Sequence, residues 1–218
     1  MLDYLLFTAT GFVSGGVLYS YLIPLAFKHK DIRENTADKN PGTYNAVKSV
    51  GWPIGLLCLA MDLLKGFVPV FLAAKFLDTD SVYFIPVMAA PVFGHITAPF
   101  MKISGGKGIA TTFGSLLGLI PHSYVVVFLI IWYVFFSAVL VIKPHFKRSL
   151  ITFFMFSASV WVSVIYTRSY AVAGGCLLIS AAVCLKHLKA ERIAEKIPVP
   201  AATMEDPEKE RAFGAAKN

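Results

Sequence analysis

Long apolar runs separated by short polar segments make up most of this chain. A helix needs about 20 apolar residues to cross a bilayer, because each residue adds about 1.5 Å and the hydrocarbon core is about 30 Å thick. Seven runs can be counted, with approximate limits at 2–27, 51–77, 82–101, 107–121, 123–142, 149–166 and 169–186. The fourth run is short, which predicts a tilted, broken or partly buried helix. The pattern predicts an all-α integral membrane protein with about seven transmembrane helices.

Composition excludes an ordinary soluble domain. Of the 218 residues, 56% are hydrophobic and only 15% are charged, and few ionisable residues fall inside the long runs. The formal net charge of +7 arises mostly from the loops and the C-terminal segment, so membrane orientation explains it before nucleic-acid binding does. The three cysteines lie in apolar runs without metal-ligand spacing, so we expect neither a metal nor a cofactor.

Basic residues are concentrated on alternate loops. Five lie in the first loop, two lie near the glycines after the third run, and three lie before the sixth run, whereas the loops between carry only Arg168. Cytoplasmic loops carry the excess of Lys and Arg, so the N-terminus is predicted outside and the C-terminus in the cytoplasm. We expect residues 1–193 to form one polytopic membrane domain and residues 194–218 a mobile cytoplasmic tail.

The stretch 94–111 concentrates polar chemistry between two apolar runs. Gly105, Gly106 and Gly108 permit a tight backbone with exposed N–H groups, and Lys107 adds a mobile positive charge. The following apolar run predicts a helix, whose N-terminus also favours an anion. The spacing differs from that of a nucleotide-binding P-loop. The stretch is either a phosphate or carboxylate cradle at the membrane surface or a plain glycine-rich hinge.

The first loop carries turn and hydrogen-bonding residues on the same predicted face. Asn40-Pro41-Gly42 has the chemistry of a turn. Asn45 offers a further donor and acceptor, and Lys48 stands at the entrance to the second run. This loop is either part of a binding site or a polar surface loop.

Asp62 and Lys65 lie within the second run, three residues apart and therefore on one helix face. An unpaired charge costs about 2.5–3.5 kcal/mol near the centre of a membrane helix. We therefore expect the two to pair and to face the interior of the helix bundle. The pair is either part of a functional site or a structural link that fixes helix packing.

His187 directly follows the last apolar run. A histidine at a membrane boundary can act as a general base near neutral pH. The alternative is an interfacial residue without a chemical role.

The glycine-rich stretch resembles a motif of the bacterial acyl-phosphate-dependent glycerol-3-phosphate acyltransferases, the PlsY family. The family pattern is G-H-x-F-P-x-F-x-x-F-K-G-G-K-G-V-A-T. This chain matches it at residues 94–95, Phe100, 105–108 and 110–111. The interval from His95 to Lys107 is that of the family.

Three further motifs resemble the same family, and the resemblance covers roughly residues 10–193. The first-loop pattern S-G-N-x-G-A-T-N-V-x-R is matched at Asn40, Gly42 and Asn45. The pattern L-D-x-x-K-G is matched at 62 and 65–66, and the histidine of H-x-x-N-I at 187. The family's seven spans and their orientation agree with the pattern of apolar runs and basic loops.

The resemblance implies transfer of a fatty acyl group from acyl phosphate to the 1-hydroxyl of glycerol 3-phosphate, giving lysophosphatidic acid and phosphate. It implies a bacterial inner-membrane protein with its site on the cytoplasmic face, and His187 and Lys107 as catalytic residues. His95, Asp62 and Lys65 would support the site. The substrate-binding residues would be Asp38, Asn40, Gly42, Asn45, Lys48, Gly105, Gly106 and Gly108.

Several family residues are replaced in this chain. Asp38, Lys48 and Ala190 stand where the family has Ser, Arg and Asn, which help to hold glycerol 3-phosphate, and Ser104 replaces a Lys. We therefore expect a divergent member with an altered acceptor preference or low activity. The alternative is a membrane protein on the same scaffold that binds an acyl or phospho-ligand without turnover. A small-solute transporter is disfavoured, because the polar motifs gather on one face.

Overall fold

The computed structural model describes residues 1–34, 36 and 38–194. All regular secondary structure in this part of the chain is helical, which confirms the predicted all-α class. The helices are α1 (Leu2–Gly16), α2 (Tyr19–Lys28), α3 (Thr43–Val50), α4 (Trp52–Phe76), α5 (Phe84–Thr97), α6 (Ile109–Leu117), α7 (Val126–Val134), α8 (His145–Thr167) and α9 (Tyr170–Ala194), with a π-helical segment at Phe135–Val139. Apart from Ala194, the predicted tail lies outside the described residues.

The helix lengths agree only partly with seven full crossings. Among the described residues, four helical segments are long and apolar enough to cross a membrane: Leu2–Lys28, Trp52–Phe76, His145–Thr167 and Tyr170–Ala194. The apolar segments Phe84–Thr97 and Val126–Val139 are shorter. Helix α6 has only nine residues, so the prediction of a short fourth helix is confirmed.

The first apolar run forms two helices instead of one. Val17 and Leu18 leave the helical conformation between α1 and α2, and Val17 adopts extended backbone angles. The break exposes the Val17 carbonyl, which accepts a hydrogen bond from the buried Lys65 ammonium at 2.6 Å. A continuous helix would have used this carbonyl in its own hydrogen-bond ladder. The break therefore provides an acceptor for a charge on α4.

The first loop also contains a helix, α3, which the turn residues alone did not predict. Asn45 and Ala46 are buried, whereas Tyr44 and Lys48, one turn apart, are exposed. The buried side packs on α4, where Gly55 leaves room for Val47. The loop is thus anchored on the helix that carries Asp62 and Lys65.

Helix α5 lies between α1, α6 and α9 and supplies much of the core. Its Val87, Met88 and Val92 are at most 1% exposed. Large apolar side chains such as Phe154 and Val162 lie on the outside of the bundle. An apolar exterior around an apolar core is what a lipid environment requires.

Helices α1 and α5 approach each other so closely that only glycine fits at the contact. A Cβ atom on Gly15 would lie 1.9 Å from the Pro91 carbonyl oxygen, and one on Gly94 would lie 2.1 Å from the Phe12 oxygen. Small residues permit this approach in membrane helices, where packing rather than the hydrophobic effect drives association.

We expect Gly15→Ala to lower the free energy of unfolding by about 1–3 kcal/mol, because the added methyl group meets backbone and forces the two helices apart. Gly174→Ala is the matched control, since its Cβ would meet only the end of the flexible Ile85 side chain at 3.0 Å. Thermal unfolding in detergent measures both. Equal melting temperatures for the two variants would contradict the close approach of α1 and α5.

Candidate functional site

An ion pair between Asp62 and Lys65 lies inside the helix bundle, as the sequence predicts. Lys65 Nζ is 2.8 Å from Asp62 Oδ1, and both side chains are 2% exposed. The ammonium also donates to the Val17 carbonyl at 2.6 Å and to His95 Nδ1 at 2.7 Å. A lysine ammonium has three donors, and the Val17 carbonyl and His95 Nδ1 accept two of them. Asp62 Oδ1 neutralises the charge as an ion-pair partner.

One branch of hydrogen bonds leads from this pair to the first loop. Ser20 on α2 donates to Asp62 Oδ2, and its oxygen lies 3.3 Å from Thr43 Oγ1. Thr43 is the first residue of α3. The pair on α4 thus fixes the position of the helix that carries Asn45 and Lys48.

The other branch leads to the glycine-rich loop. Because the Lys65 ammonium can only donate, His95 Nδ1 accepts, and a neutral His95 ring then carries its proton on Nε2. Nε2 points at Gly106, where an added Cβ would lie 2.2 Å away. The Gly106 N–H donates to the His95 carbonyl at 3.1 Å. Only glycine can pass so close to the imidazole.

Backbone conformation sets the exit of the glycine-rich loop. Gly108 adopts φ +85°, a left-handed conformation that strains other residues, and it immediately precedes α6. Gly105 passes so close to residues 95 and 96 that an added Cβ would lie 2.2 Å from the His95 oxygen. Both glycines are needed to bring Lys107 out of the bundle toward the first loop.

Lys107 meets Asp38 of the first loop. Lys107 Nζ lies 2.7 Å from Asp38 Oδ2. The other carboxylate oxygen accepts from the Asn40 N–H and from the Asn45 amide, each at 3.2 Å. The Asn45 amide also donates to the Asn40 carbonyl at 2.8 Å. The donors predicted to bind a substrate anion therefore surround a carboxylate of the chain itself.

The Asp38 carboxylate is stabilised in its ionised form. Burial alone would raise its pKa, but the charge and hydrogen bond of Lys107, with the donors of Asn40 and Asn45, hold the pKa below its ordinary value. The resulting contribution to stability is complete above the unfolded-state pKa of about 3.9 and is lost as the pH falls through the lowered pKa. The ion pair therefore persists at neutral pH.

His187 on α9 lies near this ion pair. Its side chain is buried, and both charges of the pair act electrostatically on its ring. The Nδ1–H group donates to the Val183 carbonyl at 2.9 Å. In a neutral imidazole this leaves the lone pair on Nε2, which suits a hydrogen-bond acceptor or general base. Ala190, one turn further along α9, offers no side-chain donor.

The sequence reasoning missed Lys186. Its ammonium donates to the Ile96 carbonyl at 3.2 Å and to Ser104 Oγ at 2.9 Å, so α9 holds the glycine-rich loop directly. Ser104 is the position at which the PlsY pattern has a lysine, and the cation is here supplied from another helix. Only its place next to His187 could have drawn attention to Lys186.

The structure brings most of the predicted site residues to one end of the bundle. Lys107, Asp38, Asn40 and Asn45 are in direct contact, and His187 lies near them. The site-supporting residues lie one layer deeper, and Gly42 directly precedes α3. Lys48 is exposed in the last turn of α3. Within the described residues, no group of three or more His, Cys, Asp or Glu side chains could hold a metal ion.

The fold is that of a known integral membrane protein. The crystal structure of PlsY, an integral membrane glycerol 3-phosphate acyltransferase, in its glycerol 3-phosphate form matches 87% of this chain and 90% of its own, with a TM-score of 0.72 and 23% identity. The lysophosphatidic acid form gives a TM-score of 0.70 and 22% identity. Together with the apolar helices, this fold defines a multi-pass membrane protein.

The sequence profile described as Glycerol-3-phosphate acyltransferase matches residues 5–196, and the chain belongs to this family. The glycerol-3-phosphate acyltransferase of Leptospira borgpetersenii serovar Hardjo-bovis is 36% identical over 121 residues, 55% of each chain. That of Blochmanniella floridana is 29% identical over 181 residues, 81% of this chain and 89% of its own. The match to the Leptospira relative therefore spans only about half of the length of that protein.

We expect Lys65→Met to lower the free energy of unfolding by about 3–5 kcal/mol, because Asp62 is left as an unpaired buried charge. The double variant Asp62→Leu/Lys65→Met should recover part of this loss, since it removes both charges. Thermal unfolding of the two single variants and the double variant in detergent gives the coupling energy. Strictly additive effects would show that the two side chains do not stabilise each other.

Proposed function

We propose that this chain transfers a fatty acyl group from an acyl phosphate to the 1-hydroxyl of glycerol 3-phosphate, giving lysophosphatidic acid and inorganic phosphate. The observation that carries the proposal is the convergence of Lys107 and His187, from separate motifs, beside the first loop. The names of the relatives and the glycerol 3-phosphate form of PlsY support the acceptor. The acyl phosphate donor is inferred from the resemblance of the sequence motifs to the PlsY pattern.

The reaction needs no covalent enzyme intermediate, because an acyl phosphate is already activated. The glycerol hydroxyl attacks the acyl carbonyl carbon, a new C–O ester bond forms, and the bond from the carbonyl carbon to the phosphate oxygen breaks. His187 Nε2 accepts the hydroxyl proton and returns it to the departing phosphate. Lys107 and the Gly105 N–H stabilise negative charge on the carbonyl oxygen and the phosphate. The Gly106 N–H already donates to the His95 carbonyl, so Gly106 supports the loop rather than the substrate.

We further propose seven crossings, with the N-terminus outside and the site on the cytoplasmic face of a bacterial inner membrane. The distribution of basic residues supports this orientation. The crossings are α1 with α2, α4, α5, the segment containing α6, α7 with its π-helical extension, α8 and α9. Helix α6 extends only about 13 Å. The non-helical backbone on either side of α6 can lie within the membrane because the neighbouring helices α4 and α5 shield this segment from lipid.

A second candidate function is favoured by the contacts of Asp38. Its carboxylate already takes hydrogen bonds from Lys107, Asn40 and Asn45. A phosphate that binds to these donors must displace the Asp38 carboxylate or share the donors with it. The negative charge of Asp38 also repels the phosphate. Such a site suits a protein that transfers the acyl group to a less anionic acceptor, or one that binds an acyl ligand without turnover.

The first test measures inorganic phosphate released from palmitoyl phosphate with and without glycerol 3-phosphate. We expect acceptor-dependent release by the wild type. Lys107→Ala should lower kcat/KM by about 100-fold or more, because it removes a cation that stabilises the transition state. His187→Ala should lower kcat by about 100- to 10,000-fold.

Lys102→Ala is the matched control, since Lys102 is an exposed cation on the same stretch. Full turnover by His187→Ala would remove His187 from the mechanism. Saturable binding of the acyl phosphate without release, in a folded protein, would favour the non-catalytic function.

The second test concerns the acceptor. We expect Asp38→Ser to lower the KM for glycerol 3-phosphate by about tenfold, because it removes a negative charge from the neighbourhood of the substrate phosphate. Asp31→Ser is the control, because Asp31 lies in the same loop but pairs with Arg33. Steady-state kinetics measures both. A higher KM in Asp38→Ser would show that Asp38 orients the acceptor.

A further inference from the structure

A cavity of about 510 Å³ lies on the segment that joins the π-helical segment to α8. It is lined by Val141, Ile142, Lys143, Pro144, His145 and Arg148. The lining combines apolar side chains with two cations and a histidine, and it includes no acidic residue. A ligand with a phosphate head and a hydrocarbon chain likewise combines an anionic group with an apolar one.

Arg148 has an unused hydrogen-bond donor at this cavity. Its Nε atom is buried without a hydrogen-bond partner among the described residues. Its Nη2 group contacts the His145 imidazole. A buried donor without a partner is costly, so such groups in native proteins call for an explanation, of which an ion or ligand is one.

The cavity adjoins the site around Lys107. The His145 ring lies 6.1 Å, between centroids, from that of Tyr44, which directly precedes Asn45 on α3. The charge of Lys107 also acts electrostatically on the His145 imidazole. The cavity therefore lies on the side of α3 that carries Tyr44, within electrostatic range of Lys107.

The proposed reaction requires two phosphate-bearing substrates to bind together. Two such anions repel each other, so each needs its own cations. Lys107 is paired with Asp38 and can serve one of them at most. We propose that Arg148 and Lys143 bind the phosphate of the acyl phosphate donor, with its acyl chain lying along Val141 and Ile142 toward the lipid.

This inference rests on the proposed function for the identity of the donor. The phosphate head of an anionic phospholipid has the same chemistry as the donor head and is the other source of such a ligand. If basic residues bound the ligand only through a general attraction to anionic surfaces, every exposed cation in this region would contribute equally to binding. Lys147 is such a cation on the same turn of α8, outside the cavity lining, and serves as the matched control.

The experiment measures binding of hexadecylphosphonate, which cannot transfer an acyl group, to the purified full chain in neutral detergent by calorimetry. We expect Arg148→Gln to weaken binding by about tenfold or more, because it removes a charged donor, and Lys147→Gln to change it less than about twofold. Lys143→Gln gives the same test should Arg148→Gln fail to fold. Equal losses in the Lys147 variant and the cavity variants, or no loss in either cavity variant, would overturn the proposal.

Two further measurements separate the sources of the ligand and the two proposals. Arg148-dependent binding of phosphatidic acid, in a protein that does not bind the phosphonate, would overturn the assignment to the donor. In steady-state kinetics, Arg148→Gln should raise the KM for palmitoyl phosphate and leave that for glycerol 3-phosphate unchanged. Arg148-dependent phosphonate binding in a chain that releases no phosphate would refute the proposed function and retain this site. Turnover with an unchanged donor KM in Arg148→Gln would refute this site alone.

Discussion

The rest of the structure depends on the buried ion pair between Asp62 and Lys65. Two charges inside an apolar helix bundle are costly, and their mutual attraction offsets that cost only when the remaining donors and acceptors are satisfied. Lys65 meets this condition through the Val17 carbonyl and His95 Nδ1. The pair therefore requires a helix break at Val17 and an imidazole from α5, and it joins three parts of the chain.

The same pair connects the interior to both loops of the candidate site. On one side Ser20 links Asp62 to the start of α3, and on the other His95 lies against Gly106. The positions of Asn45 and Lys107 are thus set by groups buried below them. Rigid support of this kind keeps catalytic and binding groups within the narrow range of geometry that chemistry requires.

The site at the surface has little net charge of its own, because Asp38 neutralises Lys107. The structure supplies this neutralising cation from 69 positions away in the sequence. Pairing over such a distance depends on how two loops fold toward each other. The chain has thereby placed a carboxylate among donors that would otherwise suit a phosphate.

The sequence by itself determined the helical membrane class, the short fourth helix and the pairing of Asp62 with Lys65. These follow from the length of apolar runs, from helical periodicity and from the cost of an unpaired charge in an apolar span, which are all local properties. Only the tertiary structure decided that the first run breaks at Val17, that the first loop forms α3, and that Lys186 holds the glycine-rich loop. Each of these depends on a partner distant in the chain, and a hydrogen bond or close contact between distant segments leaves no periodic signal in the sequence.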